Sequence, residues 1–250
     1  NKGLIPWVEA LVGYSEVHYE KFGKPLYSSH MLDLSAEDID FNLSECERLL
    51  KRMAPIGMSL EIELGVTGGE EDGVGSDDDI GADNPLLYTQ PDDCLRAYQL
   101  LSPIGHFSLA ASFGNVHGVY KPGNVKLRPE ILKNSQELVK KTCSTGDKPL
   151  DLVFHGGSGS DKGKISEALS YGVFKMNIDT DTQFAFAKAV GAYVEENIKA
   201  FKYQIDPEDG TPYKKLYDPR KFLRAGEEGM IERMDEAFTD LGSVGKSLAQ

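Results

Sequence analysis

The chain has 250 residues, of which 27 are Lys or Arg and 40 are Asp or Glu, so its formal net charge is −13. This sequence lacks the basic stripes that nucleic-acid binding needs, which excludes that class of function. The 3 cysteines show no Cys-x-x-Cys spacing, as is typical of a reducing compartment. No run approaches the roughly 18 apolar residues of a membrane-spanning helix. We expect a soluble, cytoplasmic protein without a nucleic-acid or membrane partner, although a targeting segment before Asn1 stays an open alternative.

Strand-like and helix-like patterns alternate along the chain. Strands are predicted over residues 26–32, 59–64, 107–113, 150–155 and 173–178. Helices are predicted over residues 4–22, 35–53, 91–101, 129–141, 161–171, 180–200 and 218–241. This alternation predicts an α/β fold with a parallel sheet covered by helices, and residues 1–250 are expected to form a single domain.

Polar side chains follow every predicted strand, and their placement separates two parallel-sheet architectures. A doubly wound sheet gathers its ligand at one switch point, whereas a barrel collects site residues from the carboxyl ends of many strands. The strand-end residues here are Asp33, Glu63, His117, His155, and Asn177 with Asp179. The pattern therefore favours a TIM (β/α)8 barrel.

Two of these strand ends carry His-Gly pairs, His117-Gly118 and His155-Gly156. Imidazole is a common metal ligand, and glycine lets backbone N–H groups approach an anion. A lone histidine is more often structural, but two histidines at neighbouring strand ends favour a shared metal ion. We therefore expect a metal site at these strand ends.

The predicted strand 59–64 alternates strictly, so Glu61 and Glu63 share one face. If the apolar face meets the helices, both carboxylates point into the barrel and require a metal ion, a basic group or hydrogen bonds. The alternative is an edge strand with a solvated glutamate face.

The glycine-rich turn 156–160 runs into a predicted helix, an arrangement that can present N–H groups and a helix dipole to an anion. It matches neither the dinucleotide fingerprint nor the Walker loop. The sequence predicts a phosphate site, and a tight turn without a ligand is the alternative.

The acidic loop after residue 64 contains Glu70 and Glu71, which follow two glycines. Glycines allow a loop to move, so these glutamates are candidates for a mobile general base. Simple solvated charge is the alternative, and it suits most of this acidic loop.

Four segments together resemble the class II, zinc-dependent fructose-1,6-bisphosphate aldolases, and specifically their longer-looped class IIA branch. These segments are LEIELGVTGGEEDGV, SFGNVHGVYKPGNVKL, VFHGGSGS and KMNIDTDTQ. The resemblance covers nearly the whole chain. It implies a homodimeric TIM-barrel lyase of glycolysis and gluconeogenesis, which cleaves fructose 1,6-bisphosphate reversibly to dihydroxyacetone phosphate and glyceraldehyde 3-phosphate through a zinc-polarised enediolate.

The resemblance also implies roles for individual residues. The expected metal ligands are His117 and His155 for the catalytic Zn²⁺, with Glu63 and Asp33 at a second metal position. Glu71, beside Glu70, is the expected catalytic base. The expected substrate-binding residues are Gly118, Gly156, Gly157, Ser158, Asn177, Asp179, Thr180 and Arg220, the last reaching the second phosphate across the dimer. A monovalent cation, Na⁺ or K⁺, is expected near Val116, Gly118 and Gly156.

One part of the family pattern is absent from this sequence. The third strand of the family ends in a His-Thr-Asp-His motif, which supplies a further zinc ligand and the aspartate that protonates the aldehyde oxygen. The chain is therefore expected to cover approximately strands 4 to 8 of the barrel and its C-terminal helices. The parent protein is expected to be an active aldolase, whereas this chain by itself is expected to bind zinc poorly and not to turn over. Two alternatives stay open, a tagatose-bisphosphate aldolase and a catalytically incomplete phosphate-binding fragment.

Overall fold

The computed structural model describes residues 2–69, 88–118 and 126–247. The α-helices in these ranges are α1 (Ile5–Phe22), α2 (Ile39–Met53), α3 (Pro91–Leu101), α4 (Glu130–Cys143), α5 (Lys162–Ser170), α6 (Thr180–Glu196), α7 (Ile198–Lys202), α8 (Lys214–Tyr217) and α9 (Pro219–Asp240). The strands are β1 (Ser29–Leu32), β2 (Ser59–Leu64), β3 (Gly68–Gly69), β4 (Phe107–Ala111), β5 (Val116–His117), β6 (Leu152–Phe154) and β7 (Val173–Met176). The predicted alternation of strands and helices is confirmed over the described residues.

Three local features differ from the prediction, and one of them is the short helix α8, which was not predicted. The helix predicted over residues 180–200 ends at Glu196, and the short helix α7 follows it. The strands β3 and β5 form a separate parallel pair that the sequence pattern did not predict. His117 therefore lies on β5 rather than at the end of the preceding strand β4.

The main sheet is parallel and contains five strands in the order β1-β2-β4-β6-β7. This spatial order follows the chain order without a reversal. A doubly wound sheet reverses its order at a switch point, whereas consecutive barrel strands lie side by side in chain order. The topology of the described residues therefore disagrees with a doubly wound sheet.

One face of β2 belongs to the apolar core, and the opposite face carries the candidate site. On β2 the side chains of Leu60, Ile62 and Leu64 are at most 2% exposed. Buried side chains of α2, including Leu50 and Met53, belong to the same apolar core. Since side chains alternate along a strand, Glu61 and Glu63 project from the other face of the sheet. Removing each large apolar side chain of this core from water contributes about 1.5–3 kcal/mol.

The chain divides into two compact units, Asn1–Asn177 and Ile178–Gln250. The first unit contains the sheet. In the second unit α6 and α9 run antiparallel, with Arg233 bonded to Asp181 at 2.9 Å. The expectation of a single domain stays a prediction. Among the described residues, no helix combines the length and the apolar character that crossing a membrane requires.

Candidate active site

Three ionisable side chains meet on the sheet face opposite the helices. Glu61 and Glu63 belong to β2, and His155 directly follows β6. Their exposed fractions are only 7%, 4% and 6%. Because β2 lies between β1 and β4, the alternative of an edge strand with solvated glutamates is wrong.

The imidazole of His155 contacts both carboxylates. Its Nε2 lies 2.9 Å from Glu61 Oε1, and its Nδ1 lies 3.2 Å from Glu63 Oε2. Burial lowers the pKa of His155, but the hydrogen bonds with Glu61 and Glu63 outweigh burial and raise the pKa to about 9. A metal ion that binds one of these ring nitrogens must replace the proton there.

Two further contacts hold the carboxylates, and the sequence did not single out their donors. Lys175 Nζ on β7 lies 2.7 Å from Glu61 Oε2, and Thr67 Oγ1 donates to Glu63 Oε1 at 2.8 Å. Burial raises the pKa of Glu61, but its hydrogen bonds with His155 and Lys175 lower it overall, so this carboxylate is ionised. The sequence feature that could have predicted this contact is the presence of Lys175 in an otherwise apolar strand.

The backbone around His155 is also fixed. Asn115, which is buried, donates from Nδ2 to the carbonyl oxygen of His155 at 2.8 Å. Asn115 immediately precedes β5, so this bond connects the two segments that carry His117 and His155.

The ring centroids of His117 and His155 are 6.1 Å apart. A Zn–N bond of about 2.0–2.1 Å places each ring centroid about 3.2 Å from the ion, so two rings on one ion have centroids about 5–6 Å apart. The observed separation lies just above the upper end of that range. The pair therefore fits two ligands of one ion, although no cluster of three or more His, Cys, Asp and Glu side chains suited to a metal ion occurs within residues 2–69, 88–118 and 126–247.

The position of Asp33 follows from strand register. Leu32 pairs with Ile62, which places Asp33, the residue after β1, next to Glu63 at the carboxyl ends of the strands. The Asp33 carboxylate accepts hydrogen bonds from the backbone N–H and the hydroxyl of Ser35, at 3.1 and 2.6 Å. The role of Asp33 and Glu63 as ligands of a second metal position stays a prediction.

Close packing explains the glycines of the turn after β6. Gly156 has φ +60°, and a Cβ there would lie 2.3 Å from the carbonyl oxygen of Val116. A Cβ on Gly157 would lie 2.4 Å from Cε of Met176. The turn therefore requires glycine for its contacts with β5 and the end of β7, whether or not it binds phosphate.

Some of the N–H groups expected to face a phosphate already have partners. The N–H of Gly157 donates to the Asn177 carbonyl oxygen at 2.9 Å. The Asp161 carboxylate caps α5 by accepting from the N–H of Lys164 at 3.0 Å. The Asp161 carboxylate therefore takes up part of the helix N-terminus at which an anion was expected to bind. Ser158 is 7% exposed, and its role as a phosphate ligand stays a prediction.

The remaining predicted site residues lie elsewhere in the chain. Gly118 follows β5 and has φ +80°. In the second unit, Asp179 accepts from Gln183 Nε2 at 2.9 Å, Thr180 begins α6, and Arg220 pairs with Asp218 at 2.5 Å with a side chain that is 89% exposed. Glu70 and Glu71 lie outside the described residues.

Comparison with known proteins adds the decisive observation. The family model for fructose-bisphosphate aldolase class-II matches residues 13–246. The chain belongs to this family.

Individual relatives agree with this assignment. The fructose-bisphosphate aldolase of Campylobacter jejuni is 55% identical over 248 residues, which span 98% of this chain and 69% of that protein. The class 2 fructose-bisphosphate aldolase of Escherichia coli K12 is 51% identical over 246 residues, covering 97% of this chain and 68% of the relative. The family resemblance predicted from the sequence is confirmed, and with it the enzyme class, a lyase.

Solved structures support the fold. The crystal structure of the Campylobacter jejuni aldolase matches with a TM-score of 0.83 at 52% identity, over 98% of this chain and 69% of that one. The YdjI aldolase of Escherichia coli K12 matches with a TM-score of 0.57 at 23% identity, over 92% and 65% of the two chains, which speaks for the fold alone. The predicted α/β fold with a parallel sheet is confirmed.

Proposed function

We propose that this aldolase cleaves fructose 1,6-bisphosphate reversibly to dihydroxyacetone phosphate and glyceraldehyde 3-phosphate. The observation that carries the proposal is the match of residues 13–246 to the class II aldolase family. The paired imidazoles of His117 and His155 support it, because this reaction class needs an electrophile at the ketone and the two rings are suited to hold one.

The fold of the proposed enzyme is a TIM (β/α)8 barrel, of which this chain provides approximately strands 4 to 8 and the C-terminal helices. The chain-order parallel sheet supports this assignment. The 69% coverage of the Campylobacter jejuni aldolase is consistent with it. A homodimer in the cytoplasm completes the proposal.

His117 and His155 hold the catalytic Zn²⁺ in this proposal, while Glu63 and Asp33 form a second metal position. When bound, zinc supplies Lewis-acid polarisation of the substrate ketone and so stabilises the enediolate that proton removal leaves. The backbone near Val116, Gly118 and Gly156 is the proposed site of a monovalent cation, Na⁺ or K⁺. The tight contact between Gly156 and Val116 supports this last assignment by bringing backbone oxygen close to the turn.

Glu71, with Glu70 beside it, is the proposed general base. Its carboxylate takes the proton from the carbon next to the ketone of dihydroxyacetone phosphate. A positioned general base typically contributes about 10²–10⁴-fold to a rate. The carbanionic carbon then attacks the aldehyde of glyceraldehyde 3-phosphate, and cleavage follows the reverse course.

The substrate has two phosphate groups, and each has its own proposed ligands. The proposed ligands of the first phosphate are Gly118, Gly156, Gly157, Ser158, Asn177, Asp179 and Thr180, and Arg220 of the partner subunit contacts the second. The net charge of −13 does not oppose this assignment, because salt screens distant surface charge beyond about 8–10 Å while local N–H groups and the metal act at contact distance.

Hydrogen exchange of dihydroxyacetone phosphate in D₂O tests the base directly. Glu71→Ala should slow exchange at the reacting carbon by about 100-fold or more while the zinc content stays at the wild-type level. Glu47→Ala, which removes a surface carboxylate on α2 that pairs with Lys51, is the matched control and should exchange normally. Normal exchange in Glu71→Ala would contradict the assignment, and loss of zinc in that variant would instead make Glu71 a ligand.

A further inference from the structure

We propose that Lys175 and Glu61 form a positioning pair that fixes the ring of His155, so that Nε2–H is donated to Glu61 and Nδ1 is left to face the metal. This inference rests on the proposed function, since it concerns a residue assigned there as a zinc ligand. The pair touches neither the metal nor the reacting atoms, and it acts through His155.

The two oxygens of Glu61 have different partners, which makes the carboxylate a bridge. Oε1 lies 2.9 Å from His155 Nε2, and Oε2 lies 2.7 Å from Lys175 Nζ. A carboxylate held at both oxygens cannot rotate without losing one of these bonds. The Glu61 carboxylate, a single rigid group, therefore fixes the orientation of the His155 ring relative to the Lys175 ammonium group.

The hydrogen bond between Glu61 and His155 crosses β4, whose side chains on that face are small. Glu61 belongs to β2 and His155 follows β6, and β4 lies between those strands. Ser108 and Ala110 of β4 stand beside Glu61 and Glu63 in the register, so small side chains occupy the face over which the longer ones reach. Both are less than 8% exposed.

Lys175 balances the negative charge of the Glu61 carboxylate. A metal-bound imidazole is neutral, so His155 in that state supplies Glu61 with a hydrogen bond but no compensating charge. An isolated carboxylate that is only 7% exposed would then be costly to keep ionised. Lys175, whose side chain is 45% exposed, provides the cation while its stem reaches the buried oxygen.

The other ring nitrogen is consistent with this assignment. Nδ1 of His155 lies 3.2 Å from Oε2 of Glu63, the carboxylate proposed above for the second metal position. The ring nitrogen that does not bind the metal determines the tautomer through its own hydrogen bond. Glu61 and Glu63 therefore have different roles, the first orienting the ring and the second standing on the metal side.

The test compares zinc affinity, measured by competition with a chelator, in the wild-type aldolase and in the same enzyme carrying Lys175→Met or Lys175→Arg. Loss of an outer partner of a metal-binding histidine typically weakens affinity about 10–100-fold, and Lys175→Met, which acts through Glu61, should weaken it by about tenfold, at the lower end of that range. Lys175→Arg keeps the cation and should remain within about threefold of wild type. Lys51→Met is the matched control, because it removes a surface ion pair of the same 2.7 Å length, and it should bind zinc as wild type does.

A spectroscopic measurement separates positioning from simple stabilisation. In Co²⁺-substituted protein, Lys175→Met should change the visible ligand-field absorption, whereas Lys51→Met should leave it unchanged. If Lys175→Met retains wild-type zinc affinity and raises only KM, Lys175 is a substrate contact and the inference is overturned.

A second variant covers the case in which Lys175→Met fails to fold. Glu61→Gln keeps an oxygen that accepts from Nε2–H but removes the negative charge, and it should weaken zinc binding about tenfold. Unchanged zinc affinity in Glu61→Gln overturns the inference. A wild-type protein that binds no zinc overturns the proposed metal chemistry and the inference together, whereas wild-type zinc affinity in both variants overturns the inference alone.

Discussion

Replacing Gly156 by alanine is expected to displace β5 and with it His117. An added Cβ would lie 2.3 Å from the Val116 carbonyl oxygen and 3.2 Å from the N–H nitrogen of His117. Since carbon and carbonyl oxygen rarely approach within about 3.3 Å, one of the two segments must move by about 1 Å. The left-handed backbone at φ +60° adds strain of about 1–2 kcal/mol for any residue with a Cβ.

The expected magnitudes follow from these two effects. Overpacking typically costs about 1–3 kcal/mol, so Gly156→Ala should lower the free energy of unfolding by about 2–5 kcal/mol in all. A misplacement of about 1 Å in a catalytic group can cost about 100-fold in rate, which is the loss expected in kcat. Urea unfolding and a coupled assay of fructose 1,6-bisphosphate cleavage measure the two quantities.

Gly57→Ala is the matched control for this substitution. Gly57 has φ +78°, but a Cβ there would meet nothing within 4 Å. This variant should therefore show the backbone strain of about 1–2 kcal/mol without the displacement, and it should keep the wild-type kcat. The reasoning is refuted if Gly156→Ala unfolds at the same urea concentration as Gly57→Ala and cleaves substrate at the wild-type rate.

Two further predictions concern the core. Burial raises the pKa of both Cys46 and Cys94 to about 12. At pH 8 a thiol reagent should therefore label only Cys143 in the folded protein and all 3 cysteines after unfolding. Rapid labelling of a second thiol in the folded state would contradict this prediction. Gln136→Leu should lower the free energy of unfolding by about 3 kcal/mol or more, because the buried Gln136 amide makes 3 hydrogen bonds to backbone groups at 2.8–3.0 Å. A loss below about 1 kcal/mol in urea unfolding would show that those backbone groups find other hydrogen-bond partners in the variant.

The periodicity of the sequence was sufficient for the main elements. Alternation over residues 59–64 predicted a strand with two glutamates on one face, and β2 has that form. It could not decide whether that face was buried, because an edge strand and an inner strand share the same alternation. The position of β2 between β1 and β4, which decides the question, is a property of the whole sheet.

Two parts of the candidate site could not be predicted from local patterns. The strands β3 and β5 have two residues each, too few to show any periodicity, and their pairing depends on segments that are 48 positions apart in the register of Gly68 with Val116. The contact between Glu61 and Lys175 joins strands that are not neighbours in the sheet. It spans both β4 and β6, a separation in space that a spacing rule along the chain does not describe.

The proposed reaction requires a metal ion for aldol cleavage by this family member. The most direct test is fructose 1,6-bisphosphate cleavage measured before EDTA treatment, after it, and after Zn²⁺ is returned. Removal of the metal should abolish cleavage, Zn²⁺ should restore it, and borohydride with substrate should trap no lysine adduct. Cleavage that persists after complete metal removal would show that the reaction does not need the metal.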